Sequence, residues 1–214
     1  MTTRNSKFNA TIAGSITLVA LAAVALTMPS HRDAARAATP AGGIAIGSPA
    51  PKFTLPNVAT GAMSSLETLS QGKKATVIMF IAVHCPVSNA YNDRMETLAK
   101  QYGKKHIEFV GINANTTEST DEVASHAKDH NFTFPVLKDA DDAVADAYNA
   151  HVTPETFVVN SEGVLVYHGR IDNSIDPANI ATNDLAAALD NVVAAKTVAK
   201  PETKAFGCSI KRAH

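Results

Sequence analysis

The sequence has no tryptophan, only two cysteines in 214 residues and a charged fraction of 18%. Two cysteines are too few for a disulfide-stapled miniprotein or a multi-cysteine zinc fold. They suffice for one disulfide or one redox pair. A formal net charge of -1 gives no electrostatic case for a nucleic-acid partner. Charge is scarce, but apolar residues make up 45% of the chain, which excludes extended disorder and provides for a real core.

The few charges are unevenly spread. Residues 1–38 carry Arg4, Lys7, Arg32 and Arg36 against Asp33, a net of +3, and the remaining 176 residues carry a net of -4. The basic flank precedes nineteen uncharged residues, Ala10 to Met28, rich in Ala, Leu, Val and Ile. That layout is a secretory signal, and Ala35-Arg36-Ala37 has the small-residue pattern of a cleavage site. Nineteen residues also just span a bilayer, so residues 1–38 are read as a cleaved signal peptide or as a membrane anchor through residues 10–28. Either way the rest is exported, to a periplasmic or equivalent compartment where disulfides form.

Residues 39–52 are rich in Ala, Gly and Pro and read as a linker; residues 53–195 read as one folded domain. Ala75 to Val83 is a continuous apolar run, expected to be a strand covered on both faces. One helix is expected from about Pro86 to Tyr102, with Val87, Ala90, Tyr91, Met95, Leu98 and Tyr102 at three- and four-residue steps. A strand over Ile107–Asn113, a helix after Thr120, a short strand at Pro135–Leu137 and a helix near Asp141–Tyr148 follow. Then Thr156–Asn160 and Val164–Gly169 flank Ser161-Glu162-Gly163 as a hairpin, and a last helix begins at Asn183 or Asp184. The fold class is α/β: a mixed central sheet, parallel first and antiparallel at its end, flanked by helices. Residues 196–214 have no periodicity and read as a flexible tail carrying Cys208.

Cys85 stands where the buried strand ends, and Pro86 after it is preorganised for a first helical turn. Unpaired N–H groups and the positive end of the helix dipole then face its sulfur and favour the thiolate, the nucleophilic form. Ser88 is expected to turn its hydroxyl toward that sulfur, and His84 to offer a neighbouring cation. Thr153-Pro154 precedes a strand, and X-Pro is the bond that readily goes cis. In that conformation the Thr153 backbone would be presented to an extended substrate. A metal on His84 and Cys85 lacks two further ligands, so neither metal nor cofactor is expected.

Ala50-Pro51-Lys52-Phe53-Thr54-Leu55, the buried strand ending in His84-Cys85-Pro86-Val87-Ser88, Phe134-Pro135-Val136-Leu137-Lys138-Asp139 and Thr153-Pro154-Glu155-Thr156-Phe157 occur in that order. Together they resemble the redoxin (AhpC/TSA) branch of thioredoxin-like proteins over roughly residues 45–195. The resemblance implies a thioredoxin fold, Pro154 as a cis-proline facing a nucleophilic Cys85, and thiol chemistry on a disulfide or peroxide substrate. Its implied partner is an electron-donating thiol protein or small thiol. Three departures accompany it. Ser88 takes the place of the second cysteine of the thioredoxin dithiol, Met79 that of its buried acid, and Ala82 that of the threonine three residues before the peroxidatic cysteine. Cys208 is the one other thiol able to resolve Cys85. The alternative is a binding module with a structural Cys85–Cys208 disulfide and no turnover.

Overall fold

The computed structural model describes residues 44–212. The basic flank, the apolar stretch of residues 10–28 and the Ala35-Arg36-Ala37 pattern lie outside them. The described chain opens with an antiparallel pair, β1 (Thr54–Pro56) and β2 (Met63–Ser65), and a short helix, α1 (Leu66–Ser70). The helix is closed by a capping box: Ser65 accepts from the Thr68 N–H, and the Thr68 side chain accepts from the Ser65 N–H. The sequence reading had missed β2 and α1, both too short to show a period.

The central sheet is built on β3 (Ala75–Phe80), whose six residues are all buried. β4 (Ile107–Asn113) runs parallel to one edge of β3 and is itself flanked by parallel β5 (Val136–Lys138). After β6 (Val152–Thr153), β7 (Glu155–Asn160) lies antiparallel on the other edge of β3, and β8 (Leu165–Gly169) pairs antiparallel with β7. The order is therefore β5-β4-β3-β7-β8, parallel at first and antiparallel at the end, as expected. β3 shows why its run is unbroken. Val77 and Met79 enter one core cluster, Ile78 and Phe80 the other, so neither face meets water.

The connections supply the helices. α2 (Pro86–Asn89) and α3 (Asn92–Gly103) follow β3, and α4 (Thr120–Asp129) follows β4. α5 (Ala143–Tyr148) follows β5, and α6 (Asp184–Val193) follows β8. The single helix expected over 86–102 is two, because the chain turns at Ala90–Tyr91, where the Arg94 guanidinium takes the Ala90 carbonyl at 3.2 Å. The apolar stripe holds only in part: Tyr91, Met95 and Tyr102 are buried with Ala99, Leu185 and Leu189, Val87 and Leu98 are half-buried, and Ala90, at the break, is exposed. On the other face Phe157 sits among Phe80 at 5.8 Å, Tyr148 at 5.2 Å and the stacked His168 ring at 4.3 Å.

Two stretches read as loose are seated. In the expected linker, the Gly47 and Ala50 N–H groups donate to Leu165 and Gly163 at 2.8 Å each. The expected flexible tail runs along β8, where His168 donates to Pro201 at 2.9 Å and accepts from Thr203 at 3.0 Å. It then forms β9 (Cys208–Ser209), antiparallel to β6. The tail escaped the sequence reading because backbone hydrogen bonds, rather than a repeating apolar pattern, hold it.

Phe157→Ala should lower stability by about 3–5 kcal/mol, since its pocket is closed by rings that cannot collapse into the void. Urea unfolding of the purified protein measures this, with a lower midpoint and an unchanged slope expected.

Candidate active site

β3 carries the chain to the top of the sheet, and Pro86 starts α2 immediately afterwards, leaving Cys85 as its N-cap. Cys85 is 3% exposed. Its sulfur accepts from the Ser88 peptide N–H at 3.3 Å, and as a thiol it donates to the Thr153 carbonyl at 3.3 Å. The Thr153–Pro154 bond is cis, as expected. Pro86, exposed at the first helical position, supplies no donor and sets the turn.

Ser88 acts differently from expectation. Its hydroxyl accepts from the Ala82 N–H at 3.2 Å, so its backbone rather than its side chain meets the sulfur. His84 also differs: its ring, 62% exposed, lies 3.7 Å from Glu118 and 3.8 Å from Glu122, so its electrostatic partners are these carboxylates.

Cys208 is at the site, not on a mobile tail. Register pairs it with Thr153, whose carbonyl accepts from the Cys85 thiol, and this brings the two cysteines close enough to influence each other's ionisation. Neither cysteine is in a disulfide. Gly207 makes this approach feasible, because a β-carbon there would collide with the Thr153 carbonyl. The two thiols are driven apart electrostatically. Burial opposes ionisation of Cys85, but the neighbouring Cys208, Thr153 and Ser88 groups outweigh it and hold the thiol below its ordinary value. The buried Thr153 hydroxyl has no hydrogen-bond partner among the described residues and acts on the sulfur by proximity alone. The neighbouring Cys85 pushes the Cys208 thiol up, burial adds to this, and the Val87 N–H and Lys211 charge oppose it. The environment favours ionisation of Cys85 over that of Cys208.

A family model described as the AhpC/TSA family matches residues 46–168. The chain belongs to the AhpC/TSA family. It is 33% identical over 124 residues to the thioredoxin-like protein YneN of Bacillus subtilis, covering 58% of this chain and 70% of that one. The thiol-disulfide oxidoreductase ResA of Bacillus subtilis is 31% identical over 123 residues, which are 58% of this chain and 66% of ResA. Among solved structures, an uncharacterized conserved protein from Geobacillus kaustophilus superposes with a TM-score of 0.74 at 33% identity, over 79% of this chain and 93% of that one. The fold is thioredoxin-like and the chain is a thiol-based oxidoreductase.

Several residues of this family member were not visible as site residues in the sequence. Glu118 is 2% exposed and accepts from the Val83 and His84 N–H groups at 2.9 and 2.8 Å, fixing the peptides just before Cys85. Asn113 donates to the same carboxylate. The buried Lys138 ammonium donates to Asn113 Oδ1 at 2.7 Å and to the Asn115 carbonyl at 2.6 Å. Burial drives the Lys138 pKa down while Glu118 and neighbouring carboxylates counter it. Glu155 plays a matching part on the other side of the site. It accepts from the His151 and Val152 N–H groups at 2.7 and 3.1 Å and from His168 at 2.6 Å, holding the turn into Pro154. The HxxxH spacing of His126 on α4 and His130 at its C-cap is a ring contact at 4.4 Å. Among the described residues no group of three or more His, Cys, Asp or Glu is arranged for a metal.

Burial raises the pKa of Glu118, but the hydrogen bonds from Val83, His84, Asn113 and Asn115 prevail and lower it. Its contribution to stability is therefore present above the unfolded value of about 4.3 and lost as pH falls through the lower folded value. Glu118→Gln should cost about 2–4 kcal/mol near neutrality, because the amide NH2 must oppose one of the two peptide donors and Lys138 loses its counter-charge. Urea unfolding at pH 7 and pH 3 checks this; the gap between variant and parent should narrow in acid.

Proposed function

We propose that this protein catalyses thiol-disulfide exchange outside the cytoplasm, with Cys85 as the attacking thiolate and Cys208 as the resolving thiol. The observation that carries this reading is the approach of the Cys208 thiol to the buried, helix-capping sulfur of Cys85. In the first step Cys85 attacks a substrate disulfide; one sulfur–sulfur bond forms, the substrate's breaks, and one substrate thiolate leaves. Once Cys85 is in the mixed disulfide its negative charge is gone, so the force raising the Cys208 pKa is relieved. Cys208 then attacks the Cys85 sulfur, releases the second substrate thiolate and closes an intramolecular disulfide. A donor dithiol restores the pair. It attacks the more exposed Cys208 and expels Cys85, the better leaving group because of its lower pKa.

A disulfide substrate is favoured over a peroxide by what stands before the nucleophile. Ala82 has no hydroxyl to orient a peroxide, and its N–H is already engaged by Ser88. Export rests on the basic flank and apolar stretch of residues 1–38. The name thiol-disulfide oxidoreductase carried by ResA agrees with this chemistry.

Alkylation of Cys85 followed by mass spectrometry against pH should give a midpoint below the free-cysteine value of about 8.5. Cys208→Ala should raise that midpoint by removing a donor from the thiolate; a midpoint unmoved by Cys208→Ala would detach Cys208 from the site's electrostatics. After one equivalent of a small disulfide, peptides cross-linked through Cys85 and Cys208 of one chain are expected. Their reduction by glutathione is expected too, whereas a purely structural bridge would resist it with a potential below about -300 mV. Recovery of Cys85–Cys85 dimers alone would sink the resolving role.

A further inference from the structure

A two-residue strand whose backbone is unpaired on one side is a ready seat for another extended chain. β6 lies beside the reactive sulfur, and the Thr153 backbone would offer such a seat. In this protein the seat is taken. Thr153 pairs with Cys208 and Val152 with Ser209, so among the described residues β9 is the partner of β6. The contact is closer than side chains would permit, since Gly207 abuts the Thr153 carbonyl with no β-carbon between them.

The occupant is fastened at both ends. Upstream, the Phe206 ring packs edge-on against Tyr91 at 6.3 Å. Downstream, the Ile210 N–H donates to His151 at 2.9 Å, Lys211 exchanges backbone bonds with the Asn115 side chain and Thr116, and Arg212 donates to the Ala150 carbonyl at 2.6 Å. Beneath it, Cys85 is 3% exposed. Any polypeptide that sought Cys85 by adding a strand to β6 would first have to displace residues 207–209.

We propose that β9 is a built-in occupant of the substrate-strand seat, so that Cys85 selects low-molecular-weight disulfides and admits an extended polypeptide disulfide only when β9 leaves β6. This rests on Cys85 being the attacking sulfur. If the seat is open for only a fraction of the time, reaction with a polypeptide is slowed by that fraction. A small disulfide needs a narrower opening beside the 3%-exposed sulfur, without vacating the strand seat, and so pays a smaller penalty.

The test uses full-length Cys208→Ser protein, in which Cys85 is the sole thiol. Two mixed disulfides of 5-thio-2-nitrobenzoate serve as probes, one with 2-mercaptoethanol and one with the cysteine of an unstructured decapeptide. In both, the Cys85 thiolate attacks the alkyl sulfur, the bond to the aryl sulfur breaks, and the same coloured thiolate leaves, so unequal rates report access rather than leaving-group chemistry. The small probe should react ~10-fold or more faster than the peptide. Gly207→Ala, which drives a methyl into the Thr153 carbonyl, should raise the ratio of the peptide rate to the small-probe rate ~10-fold, a ratio that cancels any change in the reactivity of Cys85 itself. Arg212→Ala, which frees the distal end without touching the seat, should move the ratio the same way and serves if Gly207→Ala does not fold. Equal rates for both probes in the parent would overturn the selection while leaving Cys85 as nucleophile. So would an equal rise of both in the variants, which would make β9 a mere cover. Absence of reaction with either probe throughout would instead remove the nucleophile, and the proposal with it.

Discussion

The site depends on one close backbone approach, Gly207 against Thr153. Every relation between the two sulfurs follows from it. Without a β-carbon at 207, β9 comes near enough to pair Cys208 with Thr153, and that register places the second cysteine beside Cys85. A larger residue would push the strand outward and separate the thiols before any chemistry was considered. The same contact fills the edge of β6. One absent side chain thus governs both the pairing of the cysteines and the approach of anything else to them.

What this approach achieves is a division of labour between two thiols in one environment. Burial alone would raise both pKa values and leave two inert cysteines. The balance instead favours one sulfur: the Ser88 N–H at the start of α2 donates to Cys85, and the neighbouring Cys208 and Thr153 groups lower its pKa further. Cys208 gives up its proton less readily because Cys85 lies beside it. The scaffold that holds them is polar and buried. Glu118 grips the peptides preceding Cys85 and Glu155 those preceding Pro154, each by two backbone N–H groups. Carboxylates suit this task because each accepts several bonds at once, and the surrounding donors offset the cost of burying the charge.

How much of this was legible in the sequence follows from the range over which each feature is encoded. β3 announced itself because burial on both faces writes an unbroken apolar run into six consecutive residues. Cys85 and Pro154 were legible because Cys-Pro at a strand end and Thr-Pro before a strand each restrict the backbone locally. The break at Ala90–Tyr91 was hidden, since the apolar spacing continues across it and the Arg94 contact responsible is not a matter of hydropathy. Ser88 was misread because a hydroxyl attracts attention, whereas at the third helical position the peptide N–H is what points at the cap. Glu118 could not be picked out, for its partners Asn113 and Lys138 come from different strands and meet only in the folded sheet. The tail was the largest error. Absence of periodicity suggested a flexible tail, but Gly207 leaves room for another backbone and lets the tail pair with β6.

A partner cysteine on a distant strand has a consequence that a local dithiol lacks. Two cysteines within one helical turn are held by that turn alone, and their oxidation leaves the rest of the fold indifferent. Here 122 residues separate Cys85 from Cys208 in the chain. Their closeness is entirely a product of the folded state, so forming the bond also fastens β9 and constrains the unfolded chain, by nearly 5 kcal/mol in the chain-entropy picture. In the reduced protein, backbone pairing and the Phe206 and Arg212 contacts hold the strand instead. Redox state and the firmness of the strap are therefore linked by thermodynamic necessity. Whatever loosens β9 disfavours the disulfide, and the disulfide in turn holds β9 in the seat beside Thr153.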